Sequence, residues 1–287
     1  MSNRRKIIFI KVTLSPILDS MKTQIQKTHL VLTLTLTLGA ASALAQNMND
    51  LYKLSRFNGS KEVKNTIVIT KPGTYDFKNV LHIWNGRNHD CDAGKENGPQ
   101  ILRIEASNVI IKNFAYVGDG KTHGSSGLGD PIHIASCGRG QGNTCGSNGP
   151  KNVTLDRIYG HACEDMITIG TPGTKNVAIQ NSTLIPVPNR GKWDKTIQIN
   201  FGTDHKILNN KFIGGLRCVR LKPNTSAQIN GNSFSGCKYG VLMSTKDSDI
   251  APMKDGPSTA FLGSNSGGPV RCKDGGSIGS SGKQVCK

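Results

Sequence analysis

One phrase returns five times and decides the fold: Asn108-Val-Ile-Ile-Lys-Asn113, Asn152-Val-Thr-Leu-Asp, Asn176-Val-Ala-Ile-Gln-Asn181, Asp204-His-Lys-Ile-Leu-Asn209 and Ser226-Ala-Gln-Ile-Asn230. Aligned on Ile111, Leu155, Ile179, Ile207 and Ile229, the copies lie 44, 24, 28 and 22 residues apart. The first step is twice 22, and the other long ones need only loop insertions. A coil of about 22 residues, built from short alternating strands and turns, is what a parallel β-helix requires. Asparagine suits the turns, because it tolerates left-handed backbone conformations and can hydrogen-bond to the coil above or below. A β-sandwich with Asn-rich turns is the alternative, but sandwich strands seldom recur in matching phase. The predicted fold class is all-β: a single right-handed parallel β-helix with coils of about 22 residues.

A second set of strands shares this phase. Asp130-Pro-Ile-His-Ile134, Asp165-Met-Ile-Thr-Ile169, Lys195-Thr-Ile-Gln-Ile199 and Arg217-Cys-Val-Arg-Leu221 alternate apolar and other residues. The alternation points Ile132/Ile134, Ile167/Ile169, Ile197/Ile199 and Val219/Leu221 inward. Asp130, Asp165, Lys195 and Arg217 then occupy one shared position, two residues before the first inward side chain. Burying four charges in a narrow core is costly, so the chain is expected to bend there and set them at a corner. Arg220 and Lys222 are expected to point outward from the same strand. With stacked strands about 4.8 Å apart, the four rungs span roughly 14 Å. They form a column that is acidic at one end and basic at the other.

Composition narrows the partner. The chain has 287 residues, 36 Lys+Arg against 19 Asp+Glu and a formal charge of +17. That excess predicts an anionic partner. Glycine is abundant, with 34 residues, and hydrophobic content is 36% in short Val/Ile/Leu clusters; a coiled coil, a helical bundle and a polytopic membrane protein are poor fits. Only 5% of residues are aromatic and no basic helix is evident, so no nucleic-acid partner is expected.

Residues 21–45, MKTQIQKTHLVLTLTLTLGAASALA, have a basic start, an apolar stretch and a small-x-small ending, Ala43-Leu44-Ala45. This is the layout of a secretory leader spanning 1–45, with Met21 as an alternative start and cleavage before Gln46. Residues 46–287 form the predicted β-helix domain, with a Cys/Gly-rich segment from about 240. The product is expected to be secreted or periplasmic, monomeric and free of the membrane after cleavage. All eight cysteines lie in that domain, consistent with disulfides in an oxidising compartment. None form a CxxC pair, so zinc is not indicated. Close spacing makes Cys137–Cys145 and Cys272–Cys286 the first pairings to expect. His133, His161 and His205 are read as turn or surface residues. Trp84 and Trp193 could stack on sugar rings or simply pack.

The charged column has a chemistry. Asp130, Glu164 and Asp165 offer several carboxylate oxygens in a small volume, a hard donor set suited to calcium. Lys195, Arg217, Arg220 and Lys222 would face anionic groups a few ångströms along the groove. Ordinary surface salt bridges are the bland alternative. The shared register over four rungs favours a site.

At these residues the chain resembles secreted pectate lyases of the parallel β-helix superfamily, closest in pattern to polysaccharide lyase family three. The family's aspartate before a Gly-Ile-His strand is similar to Asp130-Pro-Ile-His, and its Cys/Gly-Glu-Asp-Ala resembles Cys163-Glu164-Asp165-Met166. Its Asp-Lys-Val-x-Gln strand resembles Asp194-Lys195-Thr196-Ile197-Gln198, and its basic residue three before an arginine matches Arg217 and Arg220. The likeness runs from about Thr66 to Tyr239; insertions between Cys137 and Cys145 and around Pro186–Trp193 depart from it. What the resemblance implies is calcium-dependent β-elimination of polygalacturonate. Asp130, Glu164 and Asp165 would be metal ligands, Arg220 the base, Lys195 the alternative base or carboxylate clamp, and Arg217 and Lys222 substrate-binding cations.

Two other functions compete. A polygalacturonase-like hydrolase would use the same carboxylates as acid and base, and Arg220-Leu-Lys222 resembles that family's Arg-Ile-Lys clamp. However, Leu128-Gly129-Asp130 stands where Asn-Thr-Asp is expected, and Gly160-His161-Ala162 precedes the acidic pair instead of following it. A non-catalytic binder of acidic polysaccharide also fits the basic excess.

Overall fold

The computed structural model describes residues 53–89, 91, 98–136, 147–163, 165–187, 195–246, 255–273, 276–277, 279 and 281–286. The leader 1–45 with its cleavage site, Glu164, Trp193 and the Cys137–Cys145 pairing lie outside the described residues.

The chain is a right-handed parallel β-helix. Each coil contributes one short strand to each of three sheets, and every neighbouring pair within a sheet is parallel until the C-terminal end. The first sheet runs from Ser60–Val63 to Ser233–Ser235, the second from Ile67–Ile69 to Val270–Cys272, and the third from Gly73–Asp76 to Ser258–Leu262. Two antiparallel strands close the C-terminal end: Gly276–Ser277 against Val270–Cys272, and Gly282–Cys286 against Ser258–Leu262. The Cys/Gly-rich segment from about 240 is thus continuous with the solenoid and then caps it.

The recurring asparagines do what their conformational range allows. Asn108, Asn152, Asn176 and Asp204, just before or at the start of third-sheet strands, have φ between 53° and 63°. Asn113, Asn181 and Asn209, just after those strands, have φ of 54° to 55°. The backbone therefore turns through the left-handed region on both sides of the strand, which few other residues tolerate. Asn152 Nδ2 donates to Asn108 Oδ1 at 2.9 Å, and Asn176 Nδ2 to Asn152 Oδ1 at 2.9 Å.

The core is a set of stacked aliphatic rungs. Ile132, Ile167, Ile197, Val219 and Val241 pair in register down the second sheet, as do Ile134, Ile169, Ile199, Leu221 and Met243. Val109, Val153 and Val177, with Ile111, Leu155, Ile179, Ile207 and Ile229, do the same in the third sheet. All of these side chains are buried. Burying each contributes about 1.5–3 kcal/mol relative to exposure. Phe212 and Phe234 stack across adjacent coils with centroids 5.1 Å apart.

Two expectations need correction. Ile111 pairs directly with Leu155, so the 44-residue step is one coil carrying a long insertion, not two coils. A period near 22 holds only where loops are short, as from Lys195 to Arg217 to Tyr239. The histidines are buried on strands rather than at the surface. His205 occupies an inward position, where Nδ1 accepts from the Val177 amide at 3.2 Å and Nε2 donates to the Phe201 carbonyl at 3.0 Å; two satisfied nitrogens allow a neutral ring in a core. His161 sits between the Ile185 carbonyl (2.8 Å) and the Asp119 carboxylate (3.0 Å). Trp84 packs in the core with its indole N–H donating to the Arg87 carbonyl at 3.1 Å, so it offers no sugar platform.

Disulfides join Cys91–Cys163, Cys218–Cys237 and Cys272–Cys286. The last was expected from spacing. Cys91 and Cys163 are 72 residues apart and meet only because the coils bring them together. No helix among the described residues is long and apolar enough to cross a membrane.

Candidate active site

The second sheet carries the charged residues in two rows. Strand Lys195–Ile199 pairs with Arg217–Leu221 so that Lys195 faces Arg217 and Gln198 faces Arg220. Thr168 pairs with Gln198 and with His133, which pairs with Arg103. The outward row therefore runs Arg103, His133, Thr168, Gln198, Arg220. The second row lies at the strand starts: Asp130 and Asp165, each two residues ahead of its strand, then Lys195 and Arg217. This is the column expected from the sequence.

Its solvation differs from the expectation. Asp130 is fully buried, Asp165 is 3% exposed and Lys195 1%. Arg220 and Lys222 project away from the apolar interior by strand parity, yet they are 3% and 1% exposed; Arg217 is half-buried. The corner is not an open, water-washed ledge. Burial is tolerated because charges meet: Lys195 Nζ lies 3.3 Å from both carboxylate oxygens of Asp165, donating to Oδ2. Removing Lys195 would take the compensating charge away from Asp165 in a low-dielectric setting.

The electrostatics of Lys195 are set by three neighbours and by burial. Desolvation pushes its pKa below the ordinary 10.5; Asp165 pulls it up, while the Arg220 and Arg217 guanidiniums push it further down. The net direction is down, so the amine gives up its proton more readily than a solvated lysine.

Several buried oxygens on this face accept no hydrogen bond among the described residues: Thr196 Oγ1, Gln198 Oε1 and Asn200 Oδ1, while Asp165 Oδ1 has the Lys195 ammonium at 3.3 Å. Thr168 Oγ1 approaches Asp130 Oδ1 at 3.5 Å. Buried polar atoms are nearly always satisfied, so these oxygens on the outward side of Lys195–Ile199 are open to a donor from outside the strand. Asp130 and Asp165, on adjacent coils, fit calcium by donor type, being hard carboxylate oxygens with one atom accepting no hydrogen bond. Among the described residues no group of three His, Cys, Asp or Glu side chains gathers as a metal site.

His133, Thr168 and Gln198 were not singled out from the sequence as site residues, although the signal was present. Each is the middle residue of an Ile-x-Ile strand, in the position Arg220 holds in Val-Arg-Leu. Gln100 Nε2 is 2.8 Å from His133 Nδ1. Burial and, next, Arg103 lower the His133 pKa to about 4, so the ring is neutral at pH 7. A Cβ at Gly170 would come within 2.1 Å of His133 Nε2, so only glycine lets this ring lie flat on the sheet.

Two clefts lie away from the charged rows. Volumes of about 570 and 540 Å³ lie over the third sheet, lined by residues such as Lys206, Gln228 and Phe261 or Asn152, Thr154 and Ala178. Neither includes a member of the charged rows. Size locates space, whereas converging buried charges mark a candidate for chemistry. Comparison with protein-family models and with curated proteins finds no match for this chain.

Proposed function

We propose that the chain is a calcium-dependent pectate lyase that cleaves polygalacturonate by β-elimination and leaves unsaturated oligogalacturonides. The observation that carries this reading is the buried contact of Lys195 with Asp165, flanked by Arg217 and Arg220 on the next coil. The motif resemblance of Asp130, Glu164–Asp165, Lys195 and Arg217/Arg220 supports it. Glu164 would join Asp130 and Asp165 as a metal ligand.

The C5 proton of a galacturonate is weakly acidic, and its loss places negative charge on C5 and the attached carboxylate. Arg220 and Arg217, preorganised beside Lys195, stabilise that charge as it develops. Calcium, when bound, neutralises the carboxylates of the site and substrate and raises the acidity of that proton. Lys195 takes the C5 proton on its neutral Nζ. The C–H electron pair forms the C4–C5 double bond, the C4–oxygen bond breaks, and the departing oxygen takes a proton from water. The resemblance assigns the base to Arg220. A guanidinium is a poor proton acceptor, whereas the lowered proton affinity of Lys195 makes the amine the better base. Turnover then rises on the alkaline side, with its midpoint below the ordinary lysine value of 10.5. Three disulfides suit an oxidising compartment and, with the leader expected from the sequence, support the reading of an exported enzyme.

The test is release of ultraviolet-absorbing product from polygalacturonate with and without EDTA. Product is expected only with calcium. Lys195→Met and Arg220→Ala should each lower kcat at least about 100-fold, while calcium binding measured by calorimetry persists. Saturated reducing ends that appear despite EDTA would make the protein a hydrolase. Tight binding without either product would make it a polysaccharide-binding module.

A further inference from the structure

The row of cations continues beyond Arg217 and Arg220. On the next coil Tyr239 stands in register with Arg217. One coil further, Arg271 pairs with Leu242, which in turn pairs with Arg220. Arg220 and Arg271 therefore share one outward column two coils apart, about 10 Å along the axis at the usual strand spacing.

Tyr239 gathers charge around its ring. The Arg271 guanidinium carbon lies 5.7 Å from the ring centroid, and Lys238 Nζ also lies 5.7 Å from it. Attraction of a cation to the face of an aromatic ring holds each in place, but the two like charges repel one another. Lys238 and Arg271 are exposed and Tyr239 is half-buried. Among the described residues no carboxylate forms an ion pair with either cation. The backbone at both is anchored beside a disulfide: Lys238 follows Cys237, bonded to Cys218, and Arg271 precedes Cys272, bonded to Cys286. Two cations sharing one ring, with no counter-charge among the described residues, make a site suited to an anion that comes from outside.

We propose that Arg271, Lys238 and Tyr239 form a separate acid-sugar subsite, which binds the carboxylate of a uronic acid residue beyond the one held at Arg217 and Arg220. The inference rests on the lyase reading for the identity of the polymer. A chain lying along the helix axis meets the two cationic clusters in succession, whereas a dimer held at Arg217 and Arg220 is too short to reach the second. The subsite therefore makes the protein prefer long chains to short ones. It also accounts for cations at a place where the reaction itself needs none.

The experiment uses the full protein and the double variant Lys238→Gln/Arg271→Gln, with Tyr239→Leu as a second variant that removes the ring. All these positions are exposed or half-buried, so melting temperatures should stay close to that of the parent protein. Binding of long polygalacturonate and of digalacturonate is measured by calorimetry in calcium, and cleavage of the polymer is followed in the ultraviolet. The double variant is expected to bind and cleave the polymer about tenfold less well, a change of about 1.4 kcal/mol. Its binding of the dimer should be unchanged, and Tyr239→Leu should shift polymer binding in the same direction. Unchanged polymer binding, or an equal loss on dimer and polymer, overturns the subsite. If the parent protein binds polymer but forms no unsaturated product, the lyase reading fails; a selective loss of polymer binding in the double variant then still upholds the subsite.

Discussion

Lys195 shows how one residue's environment changes its chemistry. In water it would be a permanent cation; buried between Asp165 and two guanidiniums, its pKa is pushed down. His133 shows the same physics on the other side of neutrality. Its folded-state pKa is about 4 against an ordinary 6.5, chiefly because of burial. Between those values the unfolded chain binds a proton that the folded chain refuses. Stability is therefore fully present above pH 6.5 and declines as pH falls toward 4, by about 3 kcal/mol for this ring alone. His82 and His205 are also shifted down by burial and add to the same slope. Urea denaturation from pH 7 to pH 4 is expected to show this decline. In His133→Gln the slope should be shallower by close to one proton, and an unchanged slope would mean that the ring is not held neutral.

At the scale of the element, asparagine does two jobs that look alike in sequence. Asn108, Asn152 and Asn176 form an exposed chain of side-chain bonds at left-handed turns. Asn210 and Asn232 are buried and serve the backbone instead. Asn232 Oδ1 accepts from the Asn210 amide at 2.9 Å, and its Nδ2 donates to the Ile207 carbonyl at 2.8 Å. Asn265 repeats the pattern one coil on, accepting from the Asn232 amide at 3.0 Å. Truncating Asn232 would strand a buried N–H and a buried carbonyl, each costing about 1–3 kcal/mol. Asn232→Ala is therefore expected to destabilise the protein by about 3 kcal/mol in chemical denaturation. Asn152→Gly, which keeps the left-handed turn accessible, should cost less than about 1 kcal/mol. The alternation within strands was legible beforehand, because period-two burial leaves a plain mark. The separation of internal from external asparagines was not, because both kinds stand at the turns beside strands and nothing local marks which way a turn side chain points.

At the scale of the whole molecule, the solenoid has open ends that must be managed. Strand Ser258–Leu262 would present an unpaired edge with exposed Phe261, but Gly282–Cys286 covers it in antiparallel pairing, anchored by Cys272–Cys286. Exposed edges with apolar side chains template aggregation. Deleting residues 281–287 is expected to yield aggregates or oligomers by light scattering, at concentrations where the full chain scatters as a single species. A monodisperse truncated protein would show that the cap is dispensable.

The sequence by itself determined the coiled architecture, the inward aliphatic rungs and the alignment of Lys195 with Arg217. Each of these follows from local periodicity, and a residue's parity and neighbours along the chain are enough to specify it. Only the tertiary structure decided that the 44-residue step is one coil, that Cys91 meets Cys163, and that the acid–base column is buried rather than at an open corner. Insertions change coil length without changing strand phase, and a disulfide partner 72 residues away leaves no local trace. Burial of Asp130, Asp165 and Lys195 depends on charges from different coils meeting in space and compensating one another, a condition that no single strand encodes.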